Sequence, residues 1–285
     1  MRNRIIIYIT VIIFLLTCYS KNPAIMAQDV IKKDTSIEIT TKKNDTSIDF
    51  HIKNKMAYDI TITVEFTLLN NLASDMALPY TETIGAGKNI KAFTLYMIDT
   101  GDAWKYKYKY SCIPGSLYAL HNDSYIYSLP YASGSSYYLS QGYNGTFSHF
   151  GEEAFTIDWA MPEGTGIYAA RDGTVISTRY IYSRGGNDKK YMDHANYILI
   201  RHDDGTIGEY FHFRKNGVYV IPGQEVKAGD LIGFAGSTGY STAPHLHFGV
   251  YKAVDGYTRQ TVPVKFRTMN ADATELQQGI YYTAP

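Results

Sequence analysis

The sequence, 285 residues long, predicts an all-β protein built in two parts. Three observations carry that expectation. Apolar and polar residues alternate through most of the first half, the 27 tyrosines suit pleated strands better than helices, and glycines punctuate short strand-like runs in the second half. Apolar residues make up 45% of the chain and charged residues 19%, which supplies real hydrophobic cores and excludes the composition of a disordered protein. The length is comfortable for two domains. A formal net charge of zero, with no basic block, argues against a nucleic-acid partner.

The N-terminus reads as an address. Arg2 and Arg4 precede an apolar run over residues 5–16, too short for a comfortable membrane span and suited to the core of a secretory signal. Residues 1–27 are therefore expected to be a signal peptide, and the protein to be exported to a periplasmic or envelope-associated position. Two processing routes compete, cleavage after Ala27 or lipid anchoring at Cys18, with an uncleaved anchor as a third reading. The second cysteine, Cys112, reads as a small hydrophobe in a strand. Loss or lipidation of Cys18 leaves the mature chain with no internal disulfide.

From residue 35 onwards the period is two. Ile37 and Ile39, then Ile48, Phe50 and Ile52, then Ile60, Ile62, Val64, Phe66 and Leu68 alternate with polar residues, and turn clusters such as Lys43-Asn44-Asp45 and Asn70-Asn71 separate the runs. Further on, Trp104, Tyr106, Tyr108 and Tyr110 share one face, while Lys105, Lys107 and Lys109 share a solvated one. Short strands at this spacing, without intervening helix, predict an immunoglobulin-like β-sandwich over residues 30–125. His51 reads as structural within it. A Gly/Ser/Asn-rich stretch over residues 128–148 then changes the character of the chain, and a second, mostly β domain is expected over residues 129–270.

The residues that carry chemistry lie in that second part. In Pro244-His245-Leu246-His247-Phe248 the two histidines project from one face of a strand while Leu246 and Phe248 face the core. H-x-H occurs with and without metal, so alone it leaves both readings open. Asp158, between Ile157 and Trp159 in an apolar strand, is costly to bury without a partner, and a cation is the obvious one. Tyr210-Phe211-His212 is a further strand-like run ending in a histidine.

Taken in order, these segments resemble the lysostaphin/LytM-type zinc metalloendopeptidases. The resemblance runs over residues 142–251 and rests on six motifs: Gly142-Tyr143-Asn144-Gly145 leading to His149; Asp158 followed by Pro162-Glu163-Gly164-Thr165; Tyr168-Ala169-Ala170-Arg171-Asp172-Gly173-Thr174-Val175; Tyr210-Phe211-His212; Gly233-Phe234-Ala235-Gly236-Ser237-Thr238-Gly239; and Pro244-His245-Leu246-His247-Phe248. It implies the β-rich duplicated hybrid motif fold for the second domain. It also implies zinc (Zn2+) held by His149, Asp158 and His247, with His212 and His245 as the catalytic pair. Three protein ligands leave a fourth position for water, as a catalytic zinc requires. The chain departs from the family pattern in a longer spacing between His149 and Asp158, in Gly166 after Gly164-Thr165, and in Phe213 after His212. None of these touches an implied ligand. His194 and His202 receive no role in the site.

The implied activity is hydrolysis of peptide bonds in peptidoglycan stems or cross-links, with a D,D-bond preferred over a polyglycine bridge. Tyr137, Tyr138, Tyr143, Asn144 and Tyr240 are expected to border a groove for a small-residue peptide. The alternative within the same fold is a non-catalytic LytM-like regulator that activates another cell-wall hydrolase, and such members have typically lost metal ligands. A sugar phosphotransferase carrier is disfavoured by the export signal, and an adhesion protein built on the sandwich is the third rival. No protein partner is legible in the sequence.

Overall fold

The computed structural model describes residues 36–285; the expected signal peptide and Cys18 lie outside the described residues. Strand dominates the regular structure, and among the described residues the only helical pieces are 3-10 turns at Gly151–Glu153 and Lys189–His194. The all-β expectation is met.

Seven strands between Ile37 and Pro114 form two antiparallel sheets. One holds Ile37–Lys43, Ser47–Asn54, Asn89–Met97 and Leu72–Ser74 in that order; the other holds Tyr80–Ile84, Ile60–Asn70 and Lys105–Pro114. Alternation decides which residues meet between them. Phe50 and Phe93 of the first sheet stack with ring centroids 4.6 Å apart, and the edges of Phe66, Tyr106 and Tyr108 of the second sheet close on Phe50. Lys105, Lys107 and Lys109 stay exposed on the outer face, as the pattern predicts. We propose to class this pair of sheets as the immunoglobulin-like sandwich.

The remainder is organised by a nine-stranded sheet. Across it run Glu225–Val226, Gly173–Arg179, Tyr197–Arg201, Ile207–Phe211, His245–Ala253, Ile157–Ala160, Ser136–Gln141 and Tyr281–Thr283, with Arg259–Thr261 paired to His245–Ala253. Ile126–Ser128 pairs in parallel with Lys265–Thr268, and Tyr281–Thr283 pairs with Ser136–Gln141. Strand pairing of this kind supports a second unit wider than residues 129–270 at both ends, and we propose 126–285 for it.

The sheet is apolar on both faces, but toward different neighbours. Ile157, Trp159, Ile198, Ile200, Tyr210, Leu246, Phe248 and Val250 point to one side, into a core shared with Tyr127 and Phe266. The intervening residues point to the other side. There Tyr197, Leu199, Ile207, Phe211 and Tyr251 merge with the core of the first two sheets. Gly256 reinforces the junction: its amide donates to Thr63 Oγ1 at 2.8 Å, and a Cβ at 256 would lie 2.3 Å from the backbone of Thr63 and of Ser111. The two units therefore share a hydrophobic core.

Near that junction, His202 is buried to 1% exposure, donates from Nδ1 to the Asp172 carbonyl at 2.8 Å and packs its ring edge-on against Tyr127. Burial, assisted by the nearby Arg171 charge, pushes its imidazole down to about 4 from an ordinary 6.5. The unfolded chain binds that proton below pH 6.5 and the folded one only below about 4, so stability falls as pH drops through this window. Between pH 7 and pH 4.5 we expect this residue to remove about 2–3 kcal/mol. Denaturant melts at both pH values check this: His202→Asn, which keeps a donor for the Asp172 carbonyl, should lose correspondingly less stability on acidification than the parent, and an equal loss would exclude His202 as the cause.

Candidate metal centre

The candidate residues converge because of strand register. Asp158 is the direct antiparallel partner of His247 and, on its other side, of Gln141, while Phe211 is the next residue across from His247. Gln141, Asp158, His247 and Phe211 thus form one row across the sheet. A register shift beside Asp158 brings Gln141 into that row. Its Nε2 donates to Asp158 Oδ2 at 2.9 Å, and its Oε1 accepts from the amides of Phe147 and Ser148. No motif in the sequence marks Gln141, whose role depends on this pairing.

Asp158 Oδ1 lies 2.8 Å from His247 Nδ1 and 3.2 Å from His149 Nε2. His149 arrives from the loop after Ser136–Gln141 and is fully buried; its Nδ1 donates to the Gly142 carbonyl at 3.0 Å. That bond leaves the Nε2 lone pair directed inward, buried and without a hydrogen-bond partner. Burial acts to raise the Asp158 carboxyl, but His245, His149 and His247 outweigh it and hold it well below the usual carboxylate range. His247 is pushed down, first by burial, with Asp158 opposing. An ionised Asp158 and a neutral His247 are the states a cation needs from its ligands.

The donor set fits a metal. Two N/O ligands each about 2.0–2.1 Å from a tetrahedral zinc lie roughly 3.3 Å apart. The contacts of 2.8 and 3.2 Å among His149 Nε2, Asp158 Oδ1 and His247 Nδ1 are close to that edge. His149, Asp158 and His247 each offer a ligand atom within 4.8 Å of the other two.

The other two histidines stand beside this trio. His212 is not the end of a regular strand, as its sequence context suggests; it has φ 71° and sits at the break between Ile207–Phe211 and Phe213–Val218. Such a backbone conformation is disfavoured for a residue with a Cβ and persists when its surroundings hold it. Here Thr238 does so, its carbonyl accepting from His212 Nδ1 at 2.7 Å and its Oγ1 donating to the Phe213 carbonyl at 2.7 Å. Asn196 donates to the same carbonyl at 3.1 Å. His245 donates from Nδ1 to the Ala243 carbonyl at 2.8 Å, and its Nε2 is 3.9 Å from Asp158 Oδ1. The His212 and His245 rings lie 4.4 Å apart. Burial, and then the charges of His245 and His247, push the His212 imidazole well below its ordinary range.

Asp158, His212, His245 and His247 open onto a cavity of about 330 Å³, whose walls include Ser140, Phe147, Ala160, Tyr240 and Pro244, while His149 stays buried behind them. Phe147 and Tyr240 stack across it with centroids 6.3 Å apart. Of the aromatics expected at the groove, only Tyr240 lines it. Tyr137 packs on Tyr131, Tyr138 on Tyr281, and Tyr143 donates to the Val264 carbonyl. Phe147 replaces them, and its large side chain in a polar Gly/Ser/Thr run was the available signal. His194 lies away from the site, against Tyr182.

The chain is similar to known proteins over part of its second half. The glycyl-glycine endopeptidase ALE-1 of Staphylococcus capitis is 40% identical over 108 residues, 38% of this chain and 25% of that protein. The peptidoglycan DD-endopeptidase ShyA of Vibrio cholerae is 38% identical over 91 residues, 32% of this chain and 18% of that protein. The chain thus spans about a quarter or less of the length of these curated relatives. Among solved structures, the catalytic domain of lysostaphin from Staphylococcus simulans is 30% identical, covering 45% of this chain and 87% of that one, with a TM-score of 0.31. Residues 153–263 match peptidase family M23, and through that segment the chain belongs to the lysostaphin/LytM-type family.

Proposed function

We propose that this protein is an exported zinc metalloendopeptidase that hydrolyses peptide bonds in peptidoglycan stems or cross-links. The observation that carries the reading is the convergence of His149 Nε2, Asp158 Oδ1 and His247 Nδ1, with two further histidines facing the same cavity. When bound, zinc supplies Lewis acidity toward a water and toward the scissile carbonyl. His149, Asp158 and His247 hold it.

The chain's remaining work is proton handling. His212 donates a hydrogen bond from Nδ1–H to the Thr238 carbonyl, so its Nε2 is an open acceptor, and its depressed basicity keeps the ring neutral. In that state it suits the role of general base toward the attacking water. His245, at the more open end of the pair, is anchored by the Ala243 carbonyl and by Ser241 Oγ at 3.3 Å. Its Nε2 is the group we assign to the oxyanion or the leaving amine. The stacked Phe147 and Tyr240 limit the width of the groove, which favours extended peptides with small side chains. The named activities of ALE-1 and ShyA, one on glycyl-glycine bonds and one on peptidoglycan, support this substrate class. A complete ligand set favours catalysis over the regulator reading. Export follows from the signal expected over residues 1–27.

His247→Ala should abolish zinc retention, measured as metal per protein after gel filtration; a full equivalent still bound would remove His247 from the ligand set. For His212→Ala and His245→Ala we expect zinc to stay bound and turnover to fall about 100-fold or more, the range typical of a positioned acid or base. Near-normal turnover would take that histidine out of the proposed pair. Incubation with defined cross-linked muropeptides and with pentaglycine, followed by mass analysis, tests the substrate, with cleavage of the D,D-linked muropeptide expected. Casein cleavage together with inert peptidoglycan fragments would overturn the substrate class.

A further inference from the structure

Behind the candidate metal centre lies a group of charges that proton handling at the cavity does not use. Glu209, Glu153 and Arg259 are buried, with side-chain exposures of 0, 3 and 9%. The Arg259 guanidinium bridges the two carboxylates, donating to Glu153 Oε1 and to Glu209 Oε2. One oxygen of each carboxylate is left over: Glu153 Oε2 and Glu209 Oε1 are buried without a hydrogen-bond partner, and so is His247 Nε2. His247 Nε2 lies 4.0 Å from Glu153 Oε2, and Glu153, Glu209 and His247 each place one polar atom within 4.8 Å of the other two.

Three buried polar atoms facing one another without partners are costly unless something joins them. A second metal ion is a poor candidate, because Arg259 already supplies the cation between the carboxylates. A proton on His247 is the better one. If His247 binds metal through Nδ1, its proton resides on Nε2, and a buried N–H needs an acceptor. The unpaired oxygens stand on that side of the ring.

Strand register explains how they reach it. Glu209 is the direct partner of Gly249, two residues along the strand from His247 on the same face. A Cβ at 249 would lie 2.9 Å from Glu209 Oε1 and 2.7 Å from Thr156 Cγ2, so the absence of a side chain there makes room for the carboxylate. Glu153 enters from the 3-10 turn Gly151–Glu153, which is tied down by Thr156 Oγ1 donating to the Glu153 carbonyl at 2.8 Å.

We propose that Glu153 and Glu209, clamped by Arg259, are positioning residues that accept a hydrogen bond from the Nε2–H of His247 and so aim its Nδ1 at the metal. The 4.0 Å gap exceeds a direct hydrogen bond. It closes by a small rotation of Glu153, or by one water that accepts from Nε2–H and donates to both carboxylates. The proposal rests on the metal reading above and extends it to residues that do not touch the substrate.

Zinc affinity, measured by competition with a chromogenic chelator, tests it. Glu153→Leu removes the acceptor, and we expect it to weaken zinc binding about 10–100-fold. Glu153→Gln keeps an oxygen there and should stay within a few-fold of the parent. Parent-like affinity in the Leu variant would overturn the proposal, as would two equivalents of zinc in the parent. A second measurement does not depend on the variant folding: nitrogen-15 NMR of the zinc-loaded parent should show the His247 ring protonated at Nε2, with an exchange-protected proton. A proton in rapid exchange with solvent would overturn the outer-shell role even if zinc is bound. Failure of the metal reading itself shows differently, as a parent protein that retains no zinc.

Discussion

The pairing of Ile157–Ala160 with His245–Ala253 is the constraint on which the rest of the site depends. Antiparallel register places Asp158 opposite His247, and alternation sends both side chains to one face while Trp159, Leu246 and Phe248 go to the other. A slip of one residue would turn Asp158 into the apolar core and bring Trp159 to the cavity. Burial of Trp159, Leu246 and Phe248 therefore holds the register that makes the candidate ligands meet. The strength of the hydrophobic face and the precision of the polar face are two results of one pairing.

That face of the sheet is graded along its length. At one end Ile207 and Tyr251 are sealed under the first two sheets. In the middle, Glu209, Arg259 and Glu153 form the buried charged group beside Gly249. At the far end, Asp158, His247, His245 and His212 line the cavity. Burying two carboxylates with one guanidinium carries a desolvation penalty that ion pairing offsets only with good geometry. The first unit contributes by packing: it covers apolar residues that the sheet would otherwise expose, and its core is continuous with the ring of Phe211, the neighbour of His247 across the strands.

The histidines show how backbone and side chain divide the labour. Gly142 and Thr238 lend their carbonyls to His149 and His212, and Ala243 lends its own to His245. Each carbonyl accepts a hydrogen bond from Nδ1–H, which leaves the Nε2 lone pair directed inward. His247 is the exception, presenting Nδ1 to Asp158. It is the one of these rings whose Nε2 faces the buried carboxylates of Glu153 and Glu209.

Much of this was legible in the chain itself. Period-two alternation sufficed for the strands around Phe50, Ile62 and Tyr108, because a pleated strand with one wet face writes its geometry directly into residue order. H-x-H and Asp158 between apolar neighbours drew attention to two strands, since imidazoles at i and i+2 share a face and a buried carboxylate is costly without a partner, but the full set of five candidate residues came from the family resemblance. What sequence order could not carry is anything set by contact between distant segments. The alignment of Gln141 with Asp158, the sharp backbone of His212, the stacking of Phe147 on Tyr240 and the space over Gly249 that admits Glu209 all arise from which strands become neighbours and in what register. The identities of the chemical groups and the face each occupies were determined by the sequence; their distances and the side from which each nitrogen is approached were decided by tertiary structure, because those depend on pairing partners that local patterning leaves open.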